Sequence, residues 1–297
     1  MKPGARRGRL GGPWLSAAPP AVVFLAVALW AVLLASAATG ARAATRRAGA
    51  QPAIVVAGAS DLRPAFEAIG RAYTARTGAK VTFSFGSSGQ LAQQIRNGAP
   101  FDVFASADVA YVDELLAAGV GDRATKVTYA FGRLALWQPK GSTRLAAGVA
   151  DLADPSFSRI AIANPQHAPY GRAAVQALKS AAVYEAVADR LVFGENVSDA
   201  YRIATSGNAD AALVSLSLVV ADSAGGYYAI VPAAAHAPLE QAMVVTAPKT
   251  RAVAARAFAA QVTSRSGRAV MRRYGFVLTD DPEPSPPIQP SSTRQAP

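Results

Sequence analysis

The sequence predicts an α/β fold in two lobes, each a mainly parallel sheet flanked by helices, and three observations carry that expectation. Two strand–turn–helix units stand in tandem, AIVVAGASDLRPAFEAIGRAY at 53–73 and VTFSFGSSGQLAQQI at 81–95. The same alternation of short apolar runs and helix-period stretches continues to about residue 279, the pattern of parallel strands joined by helical crossovers. The roughly 250 residues that follow the N-terminal leader exceed what one hydrophobic core usually holds, so two lobes are expected.

The leader comes first. Lys2, Arg6, Arg7 and Arg9 precede an apolar run from Ala21 to Ala35, and Ala41-Arg42-Ala43 forms an A-x-A cleavage pattern. That run is shorter than the roughly 20 residues a spanning helix needs. Residues 1–43 are therefore expected to be a signal peptide, cleaved near Ala43. The chain has no cysteine, which excludes disulfides, Cys-ligated metals, thiol nucleophiles and a cysteine-borne lipid anchor. The expected location is the periplasm. The formal charge of +11 falls to +6 once the leader is removed, leaving 25 Lys/Arg against 19 Asp/Glu. No basic run interleaved with aromatics is present, so no nucleic-acid partner is expected.

In the first unit the strand runs into Ser60, and Leu62, Phe66, Ile69 and Tyr73 then recur at helical spacing. Pro64 falls in the first turn, where a missing N–H is tolerated. In the second, Val81, Phe83 and Phe85 alternate as a half-buried strand, while Leu91 and Ile95 share a helix face. A strand at 101–106 precedes a helix marked by Val109, Val112, Leu115 and Leu116, and 129–139 reads as one long apolar strand. A strand at 159–165, helices from about Tyr170 to Ser180 and about Ala182 to Leu191, and a helix from Val197 to Thr205 follow. Strands at 211–216, 227–232 and 241–247, helices through Arg273 and a strand-like YGFVL complete the pattern. The long strand and the returning one bracket an insertion: lobe I is expected over 52–128 and 238–279, and lobe II over 129–237. The Pro/Ser-rich tail, 280–297, is expected to be disordered.

A serine opening a helix brings a hydroxyl beside N–H groups that lack intrahelical acceptors, at the positive end of the helix dipole. Such a turn suits an anion. Two of them, at Ser60 and Ser88, suggest a pincer on one small oxyanion, although a serine before a helix, taken alone, is most often just an N-cap. Asp61, Asp102 and Asp108 are read as structural. His167 and His236 are the only histidines, both in Pro/Ala-rich loops. No Walker A loop, G-x-G-x-x-G, H-E-x-x-H or G-x-S-x-G motif is present, and no enzymatic activity is expected.

The segments GASDLRPAFEAIG, FSFGSSGQLAQQIRNGAPFDVFASAD, ANPQHAPYGRAAVQAL, ENVSDAYRIATSGNADAALVSLS and MRRYGFVL resemble, in order and spacing, the periplasmic molybdate-binding proteins of molybdate ABC transporters. The resemblance runs from about residue 52 to 279. It implies a class II periplasmic binding protein holding molybdate, and also tungstate, between its lobes. It further implies a monomer without a cofactor that delivers the anion to the membrane permease. The family's hydroxyl ligands fall on Ser60 and Ser88, and its backbone donors on Tyr170 and Val197. A fifth position, often a tyrosine in that family, is Ser215 here. Binding proteins of the same fold for sulfate, thiosulfate or phosphate are the nearest alternatives. A regulator's sensing domain would carry a helix-turn-helix where this chain has its leader.

Overall fold

The computed structural model describes residues 53–222 and 225–281, so the expected signal peptide, 1–43, and all but the first two residues of the expected disordered tail, 280–297, lie outside the described residues. Ten strands among the described residues form two five-stranded sheets. The first sheet holds β1 (Ile54–Ala59), β2 (Val81–Gly86), β3 (Val103–Ser106), β4 (Asp122–Gly132) and β10 (Leu239–Val245). Its spatial order is β2-β1-β3-β10-β4. The second holds β5 (Leu134–Pro139), β6 (Ile160–Ala163), β7 (Leu191–Gly194), β8 (Ala211–Ser215) and β9 (Gly226–Ile230), in the order β7-β6-β8-β5-β9. In each sheet three neighbouring strands are parallel, and one strand, β10 or β5, runs against both of its neighbours.

Helices cover both sheets. α1 (Arg63–Thr77), α2 (Ser88–Arg96) and α3 (Val109–Ala117) follow the first three strands. α4 (Pro169–Ser180), α5 (Tyr184–Val187), α6 (Val197–Thr205) and α7 (Leu216–Ala221) belong with the second sheet, and α8 (Ala252–Thr263) and α9 (Arg265–Arg273) close the described chain. On one face of the first sheet Phe66 and Tyr73 of α1 meet Phe83 and Phe258 edge to face, an arrangement that adds to their burial. On the other face Ala57 and Phe104 pack with Leu91, Ile95, Val112 and Leu115. Asp102, only 1% exposed, ties this sheet together: it accepts from Val55 N at 2.9 Å and from Arg251 Nε at 2.7 Å. That is a structural role, as the sequence reading holds for it.

The strand predicted at 129–139 is two strands in two sheets. It breaks at Arg133, where the backbone turns from pairing Gly132 with Leu239 to pairing Leu134 with Ser215. Both halves are apolar because both enter cores, so hydrophobicity carries no mark of the change of sheet. The polar half of β4, from Asp122, is half exposed and gives no strand signal. The helix predicted at 182–191 is also shorter. After α5 a single 3-10 turn, Ala188–Arg190, leads into β7. Arg190 holds that turn by donating to four carbonyls, those of Ala153, Asp154, Phe157 and Ala186. β7 is a short, half-exposed edge strand, which leaves little apolar pattern to read. YGFVL contributes one bridge, Val277 to Phe131.

Candidate functional site

Parallel strands put their C-terminal ends together, and the ligand-binding crevice of an open α/β sheet lies beyond those ends. In the first sheet Ala59 pairs with Gly86, which sets the turn after β1 beside the turn after β2. In the second, Ala163 pairs with Gly194, which does the same for the starts of α4 and α6. The four turns border a cavity with about 180 Å³ of empty space, part of it open to solvent. Ala59, Ser60, Asp61, Gly86, Ser87, Ser88 and Ala107 line one wall, and Ala168, Pro169, Tyr170 and Val197 the other. The space is small and suits an ion rather than a drug-sized ligand. Among the described residues no lysine or arginine lines it.

Ser60 and Ser88 both reach the cavity, and neither is a helix cap. Ser60 opens a 3-10 turn, Ser60–Leu62, and α1 begins only at Arg63 with no side-chain cap. The cap of α2 is Ser87, whose hydroxyl accepts from Gln90 N. Ser88 is buried as the first residue of that helix, and its Oγ accepts from Ala107 N at 3.0 Å. Ser60 Oγ accepts from Ser198 N at 3.3 Å, while Ser198 Oγ donates to Ser60 O at 3.0 Å. Tyr170 and Val197 sit in the first turns of α4 and α6, where backbone N–H groups lack intrahelical acceptors. Asn196 caps α6 through Asp199 N, so the helix presents its positive end to the cavity.

Ser215 is the one sequence-derived position outside the lining. It is buried, and its Oγ donates to the Tyr170 hydroxyl at 3.1 Å and shares a 2.8 Å bond with Ser217 Oγ. The short serine leaves space that a phenol entering from α4 fills instead. Tyr170 therefore lines the cavity with its ring turned inward, buried, toward the strand break: a Cβ at Gly132 would lie 2.2 Å from its hydroxyl. Ser215→Tyr has no room for a second phenol, and unfolding in urea should show a loss of about 1–3 kcal/mol.

The two walls are joined at their rim. Ser87 Oγ lies 2.7 Å from His167 Nδ1, and Gly89 N donates to His167 O at 3.0 Å. Arg172 donates to the Tyr111 hydroxyl at 2.8 Å and to Asp108 Oδ2 at 2.5 Å, and Gln90 Nε2 donates to Glu195 Oε2 at 2.9 Å. Sequence reading missed these contacts because each joins side chains far apart in the chain. Gly89 permits the approach: a Cβ there would stand 2.8 Å from His167 O and from the Tyr111 hydroxyl. Gly89→Ala should wedge the rim apart and weaken anion binding about 5- to 150-fold in equilibrium titration, the equivalent of 1–3 kcal/mol of overpacking.

Asp61 is the unforeseen member of the wall. It is fully buried, and its Oδ2 accepts from Gln241 Nε2 at 2.8 Å. Burial pushes its carboxyl up to about 7, against the lowering pull of the Gln241 hydrogen bond and of the nearby Tyr170 phenol. Among the described residues no cluster of three or more His, Cys, Asp or Glu side chains offers a metal site.

Residues 54–277 match the family model of the bacterial extracellular solute-binding proteins. The molybdate-binding protein ModA of Rhodobacter capsulatus is 34% identical over 77% of this chain and 90% of its own length. That of Azotobacter vinelandii is 35% identical over 86% and 97%. The structure of the Azotobacter vinelandii periplasmic molybdate-binding protein superposes with a TM-score of 0.71 at 31% identity, covering 76% of this chain and 99% of that one. With these relatives and that architecture, the chain belongs to the bacterial extracellular solute-binding proteins, in the family of the molybdate-binding proteins.

Proposed function

We propose that this chain captures molybdate in the periplasm and delivers it to the membrane permease of an ABC transporter, tungstate being accepted in its place. The observation that carries the reading is the cavity itself, where Ser60 and Ser88 face the starts of α4 and α6 and no cation intervenes. Molybdate at neutral pH is a tetrahedral dianion without protons, so hydroxyl and amide donors satisfy it. Five to seven hydrogen bonds to a charged group, about 1.5–3 kcal/mol each, offset desolvation and leave a Kd of about 1 μM or tighter. The absence of an arginine or lysine in the wall lets the lobes part without stranding a buried cation. In this reading the leader is removed near Ala43, no lipid anchor is added, and the monomer works by capture and release without catalysis. The lobes meet at Arg133 and again between β9 and β10, and they hinge there to close over the anion.

Phosphate is the alternative to weigh, because Asp61 places a carboxyl in the wall and monohydrogen phosphate needs an acceptor. That carboxyl is turned toward Gln241 and held toward its acid form by burial, which makes it a poor acceptor at neutral pH. A thermal-shift panel decides. A ligand at a thousandfold excess over Kd stabilises the native state by about 4 kcal/mol. Molybdate and tungstate should raise the melting temperature by several degrees, with sulfate and thiosulfate nearly silent. A shift with phosphate and none with molybdate refutes the assignment.

A further inference from the structure

Asp61 has a setting that the capture of an anion does not explain. Its element follows β1, and three others pack on its side chain: β10 with Gln241, β4 with Tyr129 and α4 with Tyr170. From α7, Ser217 Oγ donates to its backbone carbonyl at 2.6 Å. Among the described residues no lysine, arginine or histidine forms a hydrogen bond or ion pair with the carboxyl, and Oδ1 has no hydrogen-bond partner. Tyr129 Oη and Gln241 Oε1 beside it are also without partners, and the O–H groups packed on the carboxyl belong to the neutral phenols of Tyr129 and Tyr170. Both phenols are held far above their ordinary range, by burial first and by the Asp61 charge second, so neither adds a charge. Asp61 is the one group of this cluster that titrates near neutrality. It belongs to the same cavity wall as Ser60, its neighbour in the chain.

We propose that loading the cavity with a doubly charged oxyanion requires Asp61 to take up a proton, so that anion capture is coupled to proton uptake and anion release to proton loss. The inference rests on the oxyanion reading above. Two like charges in one buried wall, with no cation between them, repel far more strongly than in water. Protonation of the carboxyl removes the repulsion. The proton comes from solvent, bonds to a carboxylate oxygen of Asp61 and returns to solvent on release, with no covalent change in the anion. In the empty protein the carboxyl titrates near 7, and the bound dianion raises it further. The coupling is therefore silent below that pH and present above it.

The test is calorimetric titration of the protein with sodium molybdate at pH 6.0, 7.5 and 8.5, each in two buffers of different ionisation enthalpy. At pH 8.5 about one proton should be taken up per anion, and Kd should weaken about tenfold per pH unit above 7. At pH 6.0 uptake should be near zero. Asp61→Asn should abolish the uptake, flatten the pH profile and bind more tightly than the parent at pH 8.5, whereas a merely structural role would shift all pH values together. Parent binding of equal strength from pH 6.0 to 8.5 without proton uptake overturns this inference and leaves the functional reading standing. Absence of molybdate binding at every pH overturns both.

Discussion

Replacing Asp61 by asparagine should make the unliganded protein more stable at pH 8 by about 4 kcal/mol, and the gain should vanish as the pH falls toward 4. The unfolded carboxyl titrates near 3.8, whereas in the folded protein it holds its proton up to about 7. Between those values the folded state binds more protons than the unfolded one, so stability declines as pH rises, and above 7 the loss is complete. At about 1.4 kcal/mol per unit, the gap gives the magnitude above. Asparagine keeps an acceptor for Gln241 and brings an amide donor to a cluster with unpartnered oxygens. Urea unfolding of both proteins at pH 4, 6 and 8 measures the difference. A constant difference across that range would show that the carboxylate carries no burial penalty.

Ser60→Ala and Ser88→Ala should each weaken molybdate binding by about 1.5–3 kcal/mol, roughly ten- to over a hundredfold. Each removes a hydroxyl from the cavity wall and leaves a dry anion oxygen short of a donor. In the empty protein each substitution removes only one bond, the acceptance from Ser198 N or from Ala107 N, worth about 1 kcal/mol. Affinity therefore falls more than stability. Ser215→Ala, whose hydroxyl supports Tyr170 rather than the cavity, should cost affinity less than either. Titration and denaturation of the same three variants separate these outcomes. Parent-like affinity in both Ser60→Ala and Ser88→Ala would place the anion elsewhere.

What was legible in the sequence was whatever is local. The strand–turn–helix units that carry Ser60 and Ser88, and the helix that opens at Val197, follow from period and turn chemistry within about fifteen residues. The resemblance to the molybdate-binding proteins added Tyr170 and Ser215, and the structure gives those two a different division of labour. A phenol from α4 stands against a serine at the end of β8, where the resemblance implies a donor to the anion. The rest depended on long-range juxtaposition. Asp61 reads as an ordinary acid in a first turn until β4 and β10 arrive from far along the chain to bury it. The break at Arg133 was hidden because the stretches on either side of it, 129–132 and 134–139, are equally apolar.

That break also dictates an order of assembly. The second sheet draws its strands from one uninterrupted stretch, from β5 to β9, and is topologically complete once Ile230 is present. The first sheet is not. Among the described residues β10 lies between β3 and β4 and is the only strand with which β4 pairs, so no strand among them joins β4 to its sheet until Val245 is available. Contacts of such sequence separation form late, because a long loop must close before they are rewarded. The lobe that begins the chain should therefore be the last to acquire exchange-protected amides. In pulse-labelled hydrogen exchange during refolding, β6 and β8 should be protected before β4, and a chain truncated before residue 239 should leave the amides of β4 unprotected.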